Sequence, residues 1–353
     1  MIDVPALAKI NLGLRIGRRR ADGFHELRTV YQTLALHDIV RVEVQPGSGI
    51  EIRCNDSRVP RDESNTCWKM AERVLAASPG LKPRAIRSGL DAGLKARSTK
   101  IIIEIEKRLP VQGGLGAASS NAVATMLGLE RALGVALEQT ERLRLAAEVG
   151  SDLPLFLVGG TVLGVGRGEQ VHPLPDLPRL HLVVVTPPVG VSTPRAFARW
   201  DELGVASAAG ERELTANGWP RTINESGQSV LDWLAQSFQQ AAVGPASGVP
   251  AGGGDRAETP LLDLVRTGIE NDFERVVFPD YPELREVKEL LVREGARYAS
   301  LSGSGSTLYG VFTSEQEARG AAERMRAGGH SAVATTSLTR EEYWKRLAAT
   351  APS

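Results

Sequence analysis

The chain has 353 residues, 42% of them hydrophobic and 24% charged, with a formal net charge of +0. Those values describe an ordinary globular protein long enough for two domains, and they exclude a chain disordered throughout. A neutral balance supplies no global field to draw the molecule onto nucleic acid or a membrane, so neither is expected as a partner.

In chain order, Ala6–Ile16 alternates: Ala6, Ala8, Ile10, Leu12, Leu14 and Ile16 share one face, while Lys9, Asn11 and Arg15 share the other. That is the pattern of a half-buried strand. The basic run Arg18-Arg19-Arg20 reads as a solvated turn. Val40–Val44, Ile50–Cys54 and Ile101–Glu106 are predicted strands, and Cys67–Ala77 a helix. Ser119–Leu133 and Leu137–Val149 are predicted helices, the second stopped by Gly150. A cluster of Gly164, Gly166, Gly168 and three prolines near 165–180 marks a boundary, giving units of 1–170 and 171–353. Beyond it come a strand at His181–Thr186, a helix at Tyr281–Glu294, a strand at Ser306–Phe312, a helix at Glu315–Arg326 and a strand at Ser331–Ser337. This order suggests a ferredoxin-like split β-α-β arrangement, and the class is α+β. Residues 204–259 are expected to form a flexible insertion, because Val243–Thr259 is rich in Gly, Pro and Ala.

The two cysteines, Cys54 and Cys67, match no metal-ligand spacing and are expected to be free thiols. The N-terminus lacks a secretory pattern and no apolar run is long enough to span a bilayer, so a cytoplasmic location is expected.

Pro110-Val111-Gln112-Gly113-Gly114-Leu115-Gly116-Ala117-Ala118-Ser119-Ser120 joins the end of a strand to the start of a helix. Small residues let the backbone approach a ligand, and a helix N-terminus offers unpaired N–H groups to an anion. A polyphosphate fits this description. A Walker A loop would end in Gly-Lys-Ser/Thr, which the chain lacks, and the glycine spacing misses the dinucleotide-binding fingerprint. A tight connection leading into a capped helix is the plain structural alternative.

The run Gly113–Ala122 resembles the central phosphate-binding motif of the superfamily of galactokinase, homoserine kinase, mevalonate kinase and phosphomevalonate kinase (GHMP). Ala8-Lys9-Ile10-Asn11-Leu12 is similar to that superfamily's first motif and Leu301–Thr307 to its third. Arg20–Leu27, Gly150–Phe156, Asn271–Glu274 and Tyr281–Leu284 resemble the branch that acts on a cytidyl-diphosphate derivative of methylerythritol. The resemblance implies a two-domain architecture, with a nucleotide-binding domain like ribosomal protein S5 domain 2 followed by a ferredoxin-like domain. It implies transfer of the γ-phosphoryl of ATP to the 2-hydroxyl of that substrate, on the non-mevalonate route to isoprenoid precursors. Leu7 stands where the first motif usually has Pro, and Phe24 where the branch usually has Tyr.

Carried over residue by residue, the resemblance makes Asp152 the catalytic base and Lys9 its charged partner. Read without it, Asp152 before Pro154 is a helix cap and Lys9 a solvent-facing lysine. Pro110, Val111, Gln112, Gly113, Gly114, Leu115, Gly116, Ala117, Ala118, Ser119 and Ser120 are the expected ATP loop. Asn65 and Lys107 are expected near the ATP nucleoside, although Asn65 also reads as a helix N-cap and Lys107 as a surface charge. Asn11, Phe24, His25, Tyr31 (with its neighbour Gln32), Phe197, Gly303, Ser304 and Gly305 are the candidate substrate wall. Phe24 and His25 would meet the nucleobase, with Phe197 closing the far side of the slot. Mg²⁺ is expected with ATP and Ser120 is a candidate contact for it, but no carboxylate cluster marks a protein-built metal site. The oligomeric state is left open. Homoserine or mevalonate phosphorylation, and a non-catalytic sensor of a nucleotide sugar, are the competing functions.

Overall fold

A computed structural model describes residues 1–77, 99–204 and 270–349 of the chain. The expected insertion at 204–259 lies, after Gly204, outside the described residues.

The first half is built on a six-stranded sheet. It comprises β1 (Ile2–Arg19), β2 (His25–Pro46), β3 (Gly49–Cys54), β4 (Thr99–Glu106), β5 (Thr161–Gly166) and β6 (Gln170–Pro173). One edge of the long β2 strand pairs antiparallel with β1 along its length. The other edge is shared, with β5 against Leu27–Gln32 and β4 against Ile39–Pro46. Helices α1 (Thr66–Ala77), α2 (Ala117–Leu133) and α3 (Gln139–Val149) cover one face. Only the Val40–Val44 part of β2 is legible as a strand, because the stretch before it mixes polar and apolar residues on surfaces that are both covered.

The second half has strands β7 (His181–Val185), β8 (Tyr298–Leu301), β9 (Leu308–Phe312) and β10 (Ala332–Thr336), in the order β10-β7-β9-β8 and all antiparallel. This is the ferredoxin-like order expected. Its helices are α4 (Thr193–Glu202), α5 (Glu274–Asp280), α6 (Pro282–Arg293) and α7 (Glu315–Ala327); α8 (Arg340–Ala348) ends the described chain.

The alternation expected along β1 is broken by register shifts, the first between Leu7 and Lys9. Val4, Ala6 and Leu7 pack among the helices of the first half. After the shift Ala8, Ile10 and Leu12 face the second sheet, against Leu182, Val184, Tyr309 and Val311. An inserted residue in one strand of an antiparallel pair turns the following side chains to the opposite face. This bulge aims Lys9 and Asn11 at the side where α2 begins. Leu7, in place of the usual Pro, is buried in the first core.

The terminal helix α8, which follows the expected boundary at 170/171, packs on the first half. Tyr343 and Leu347 belong to the first core, Tyr343 Oη donates to the Phe156 carbonyl at 2.6 Å, and Trp344 Nε1 donates to the Val158 carbonyl at 3.0 Å. The apolar face of the last helix finds its partner in the first half. A linear reading of the sequence has no signal for that return.

Candidate active site

The two halves enclose a cleft of about 630 Å³ lined by residues of both. That size suits a small-molecule ligand. At its floor lies Lys9, only 3% exposed. Its ammonium donates to Asn11 Oδ1 at 2.7 Å, and Asn11 Nδ2 donates in turn to Thr29 Oγ1 at 2.7 Å. Asp152 Oδ2 lies 3.5 Å from Lys9 Nζ, and Asp152 Oδ1 accepts from Tyr31 Oη at 3.0 Å. Lys9 Nζ also lies 5.6 Å from the centre of the Tyr31 ring. Burial pushes the Lys9 ammonium below its usual pKa, opposed by the Asp152 charge. Burial and the same carboxylate push the Tyr31 hydroxyl well up, so it remains a donor.

The local fold separates the two readings of Asp152. The short 3₁₀ turn at Pro154–Leu157 has Leu153 at its cap position and no side-chain capping bond. Asp152 instead directs both oxygens at the Lys9–Tyr31 pair and remains 36% exposed to the cleft. A carboxylate that is held by two donors yet open to a ligand is placed to accept a proton. Room for the Tyr31 phenol comes from two glycines: a Cβ at Gly164 would lie 2.5 Å from its ring, and one at Gly168 2.6 Å from its hydroxyl.

Beside this cluster α2 starts after Gly116, which is in the left-handed conformation (φ 69°) and offers no side-chain cap. The first-turn N–H groups of α2 therefore have no side-chain partner and face the cleft as an anion site. Lys9 N donates to the Leu115 carbonyl at 3.0 Å, which fixes the loop beside the lysine. Gln112, at φ 59°, is the non-glycine residue of the loop held in the left-handed region. From the second half, the Ser302–Thr307 turn closes over the loop. Ser302 Oγ donates to the Gly114 carbonyl at 2.9 Å and Thr307 N to the Gly113 carbonyl at 3.1 Å. Asn271 Nδ2 holds this turn through the Leu301 and Gly303 carbonyls, both at 2.8 Å.

Most of the expected residues line this one cleft: Lys9, Asn11, Phe24, His25, Tyr31, Asn65, Lys107, Pro110 to Gly114, Gly116 to Ser119, Asp152, Phe197, Gly303 and Ser304. Several expectations are corrected. Leu115 is packed between the two sheets, and Ser120 is buried with its N–H given to the Gly116 carbonyl, so Ser119 is the serine that faces the cleft. Gly305 does not line the cleft; it makes room for Leu301, whose side chain a Cβ there would meet at 2.8 Å. Gln32 is buried and bonded to the Leu338 carbonyl, away from the cleft. Asn65 caps α1, accepting from Cys67 N at 2.8 Å. Lys107 is no surface charge: it is paired with buried Asp38 at 2.5 Å while lining the cleft. Phe197 lines the cleft together with Phe24 and His25. It stacks on His25, with centroids 5.0 Å apart and planes 8° from parallel, and meets Phe273 edge-on. The exposed ring of Phe24 carries the Arg167 guanidinium at 4.9 Å.

Sequence reasoning missed Thr29, Arg58, Asn121, Ser151, Arg167 and Thr193. Arg167 sits in the glycine cluster read as a boundary, and Arg58 in a polar loop. Asn121, whose buried Oδ1 has no hydrogen-bond partner among the described residues, was legible only as part of the helix start. Among the described residues no group of three or more metal-ligating side chains occurs, and no helix is long and apolar enough to cross a membrane.

Two family models match the chain: GHMP kinases N terminal domain over residues 65–160, and GHMP kinases C terminal over residues 259–331. The chain is 34% identical, over 97% of its length and 91% of the relative's, to a 4-diphosphocytidyl-2-C-methyl-D-erythritol kinase of Solibacter usitatus (strain Ellin6076). It is 31% identical to one from Geobacter metallireducens (strain ATCC 53774 / DSM 7210 / GS-15), covering 91% of this chain and 93% of that protein. A crystal structure of 4-(cytidine 5'-diphospho)-2C-methyl-D-erythritol kinase is similar with a TM-score of 0.64 and 28% identity, over 95% of this chain and 99% of that one.

Proposed function

This chain belongs to the 4-diphosphocytidyl-2-C-methyl-D-erythritol kinase family of GHMP kinases, and from that premise we propose that its cleft transfers the γ-phosphoryl of ATP to the 2-hydroxyl of that substrate. The observation that carries the reading is the meeting in one cleft of the Lys9–Asp152–Tyr31 cluster and the uncapped start of α2.

The chemistry follows from that arrangement. Asp152 accepts the hydroxyl proton as the new O–P bond forms and the bond between the γ-phosphorus and the leaving ADP oxygen breaks. Tyr31 holds one carboxylate oxygen, leaving the other to act. Lys9 offsets negative charge on the transferring group, and the amides of Ala117, Ala118 and Ser119 hold the phosphates without reorganising. Asn11 acts through Lys9 by accepting from its ammonium. Gly303 and Ser304 cover the phosphates from the second half; a Cβ on Gly303 would lie 3.5 Å from Lys9 Nζ. Asn65 and Lys107 shape the far wall of the ATP site.

Mg²⁺ fits this site as an ion carried mainly by phosphate oxygens. The Ser119 side chain, which lines the cleft, would help hold it beside the phosphates, as is usual for an ion that needs few protein ligands. When bound, the ion neutralises charge on the triphosphate.

The test is a panel of alcohols with ATP and purified protein, read by ADP release. The cytidyl substrate should be turned over far faster than homoserine or mevalonate. Preference for either of those alcohols, or ATP binding without ADP release from any of them, would replace this reading by another GHMP kinase or by a sensor.

A further inference from the structure

Resting on the cytidyl-kinase reading above, we infer that Asp201 is a specificity-determining residue: it fixes the tautomer of His25 and so selects a cytosine over a uracil base.

Helix α4 presents Thr193, Phe197 and Asp201 at four-residue intervals, which places them on one face. All three engage groups at the cleft. Thr193 Oγ1 lies 2.5 Å from Ser304 Oγ. Phe197 stacks on the His25 ring. Asp201 Oδ1 lies 2.7 Å from His25 Nε2. The imidazole is buried, held in plane by Phe197 and held in rotation by Asp201.

A carboxylate accepts hydrogen bonds and cannot donate them, so the bond to Asp201 places the ring hydrogen on Nε2. In the neutral form of the ring Nδ1 then carries no hydrogen and can only accept. Among the described residues no group bonds Nδ1, and the ring lines the cleft. The bases differ at one exocyclic position: cytosine carries an amine donor where uracil-type bases carry a carbonyl acceptor. An acceptor fixed at Nδ1 binds the amine and meets the carbonyl lone pair to lone pair. Asp201 touches neither Lys9 nor Asp152, so it acts through His25 on binding of the base and leaves phosphoryl transfer alone.

The experiment compares wild type, Asp201→Asn and Asp201→Glu, each with ATP and the cytidyl substrate or its uridyl counterpart. An asparagine amide can donate to Nε2 and so admits the other tautomer. For Asp201→Asn the expected result is a KM for the cytidyl substrate raised about tenfold, kcat within about twofold, and a cytidyl-over-uridyl preference about tenfold smaller. Asp201→Glu retains an acceptor-only group and should recover most of the loss. An unchanged KM for ATP shows that each variant is folded. Independently of activity, ¹⁵N spectra of histidine-labelled wild type, with the His25 signal assigned through His25→Gln, should show an unprotonated Nδ1 and a protonated Nε2. A protonated Nδ1 in wild type, or an Asp201→Asn enzyme with unaltered KM and preference, overturns the inference while leaving the kinase reading intact. A wild type that fails to phosphorylate the cytidyl substrate overturns both.

Discussion

Lys9 is a buried cation at the foot of a cleft, and its placement has a measurable consequence. Burial disfavours its charged form more than Asp152 restores it, so its pKa in the folded protein falls below the 10.5 of a free lysine. On the proposed mechanism, activity needs the ammonium. The alkaline limb of kcat should therefore fall as pH rises through that lowered value, before an exposed lysine would titrate. The linked stability term has the opposite slope: between the lowered pKa and 10.5 the unfolded chain binds more protons, so this term gains stability as pH rises. A pH–rate profile of wild type against Lys9→Arg, whose guanidinium does not titrate in this range, checks the assignment; a limb that persists unshifted in the variant belongs to another group. Tyr31 gives a second prediction. Tyr31→Phe removes the donor to Asp152 Oδ1 and should lower kcat about tenfold or more with little change in the KM for ATP, measured by steady-state kinetics. Lys9 and Asp152 were legible as site residues only through the resemblance of their short motifs to the superfamily's, since residue type and spacing alone read as a surface lysine and a helix cap. Ser120 and Gly305 were misread as ligand-facing because a motif does not say which of two adjacent small residues turns inward.

At the scale of elements, the glycine loop and the Ser302–Thr307 turn form one device made from two distant segments. Gly114 (φ +80°) is the closest meeting point: a Cβ there would lie 2.1 Å from the Ser302 carbonyl oxygen. Gly114→Ala should therefore force the two segments apart, raise the KM for ATP at least about tenfold and cost stability on the order of 2 kcal/mol or more, read by ATP titration and urea unfolding. The motif Asn271–Glu274 was legible as a family feature without a role. Its role is to hold this turn: Asn271 bonds the Leu301 and Gly303 carbonyls, and Glu274 accepts from Leu301 N at 2.9 Å. Helices and the ferredoxin-like order were readable from periodicity. The bulge in β1 was not, because Ala8, Ile10 and Leu12 keep perfect alternation while the strand changes its pairing register beneath them.

Across the whole molecule, the two sheets share a core in which Ile10, Leu34, Leu182 and Tyr309 meet, so the site sits on a packed junction of both halves. The terminal helix adds a second tie. Tyr343, fully buried against Phe156 and Gly159, joins the end of the chain to the turn that follows Asp152. Tyr343→Ala should cost about 3–5 kcal/mol in a urea titration, as expected for loss of a buried aromatic ring. Contacts between segments this far apart leave no periodic trace, which is why the location of the cleft could be read only after folding.

In the proposed reaction Asp152 takes the proton of an alcohol aligned with a triphosphate at the start of α2. Its most direct test is single-turnover ADP release with ATP and the cytidyl substrate, comparing wild type with Asp152→Asn at equal site occupancy. Unchanged binding of both ligands with turnover reduced by about a hundredfold or more is the predicted result. Turnover within a few-fold of wild type would contradict it.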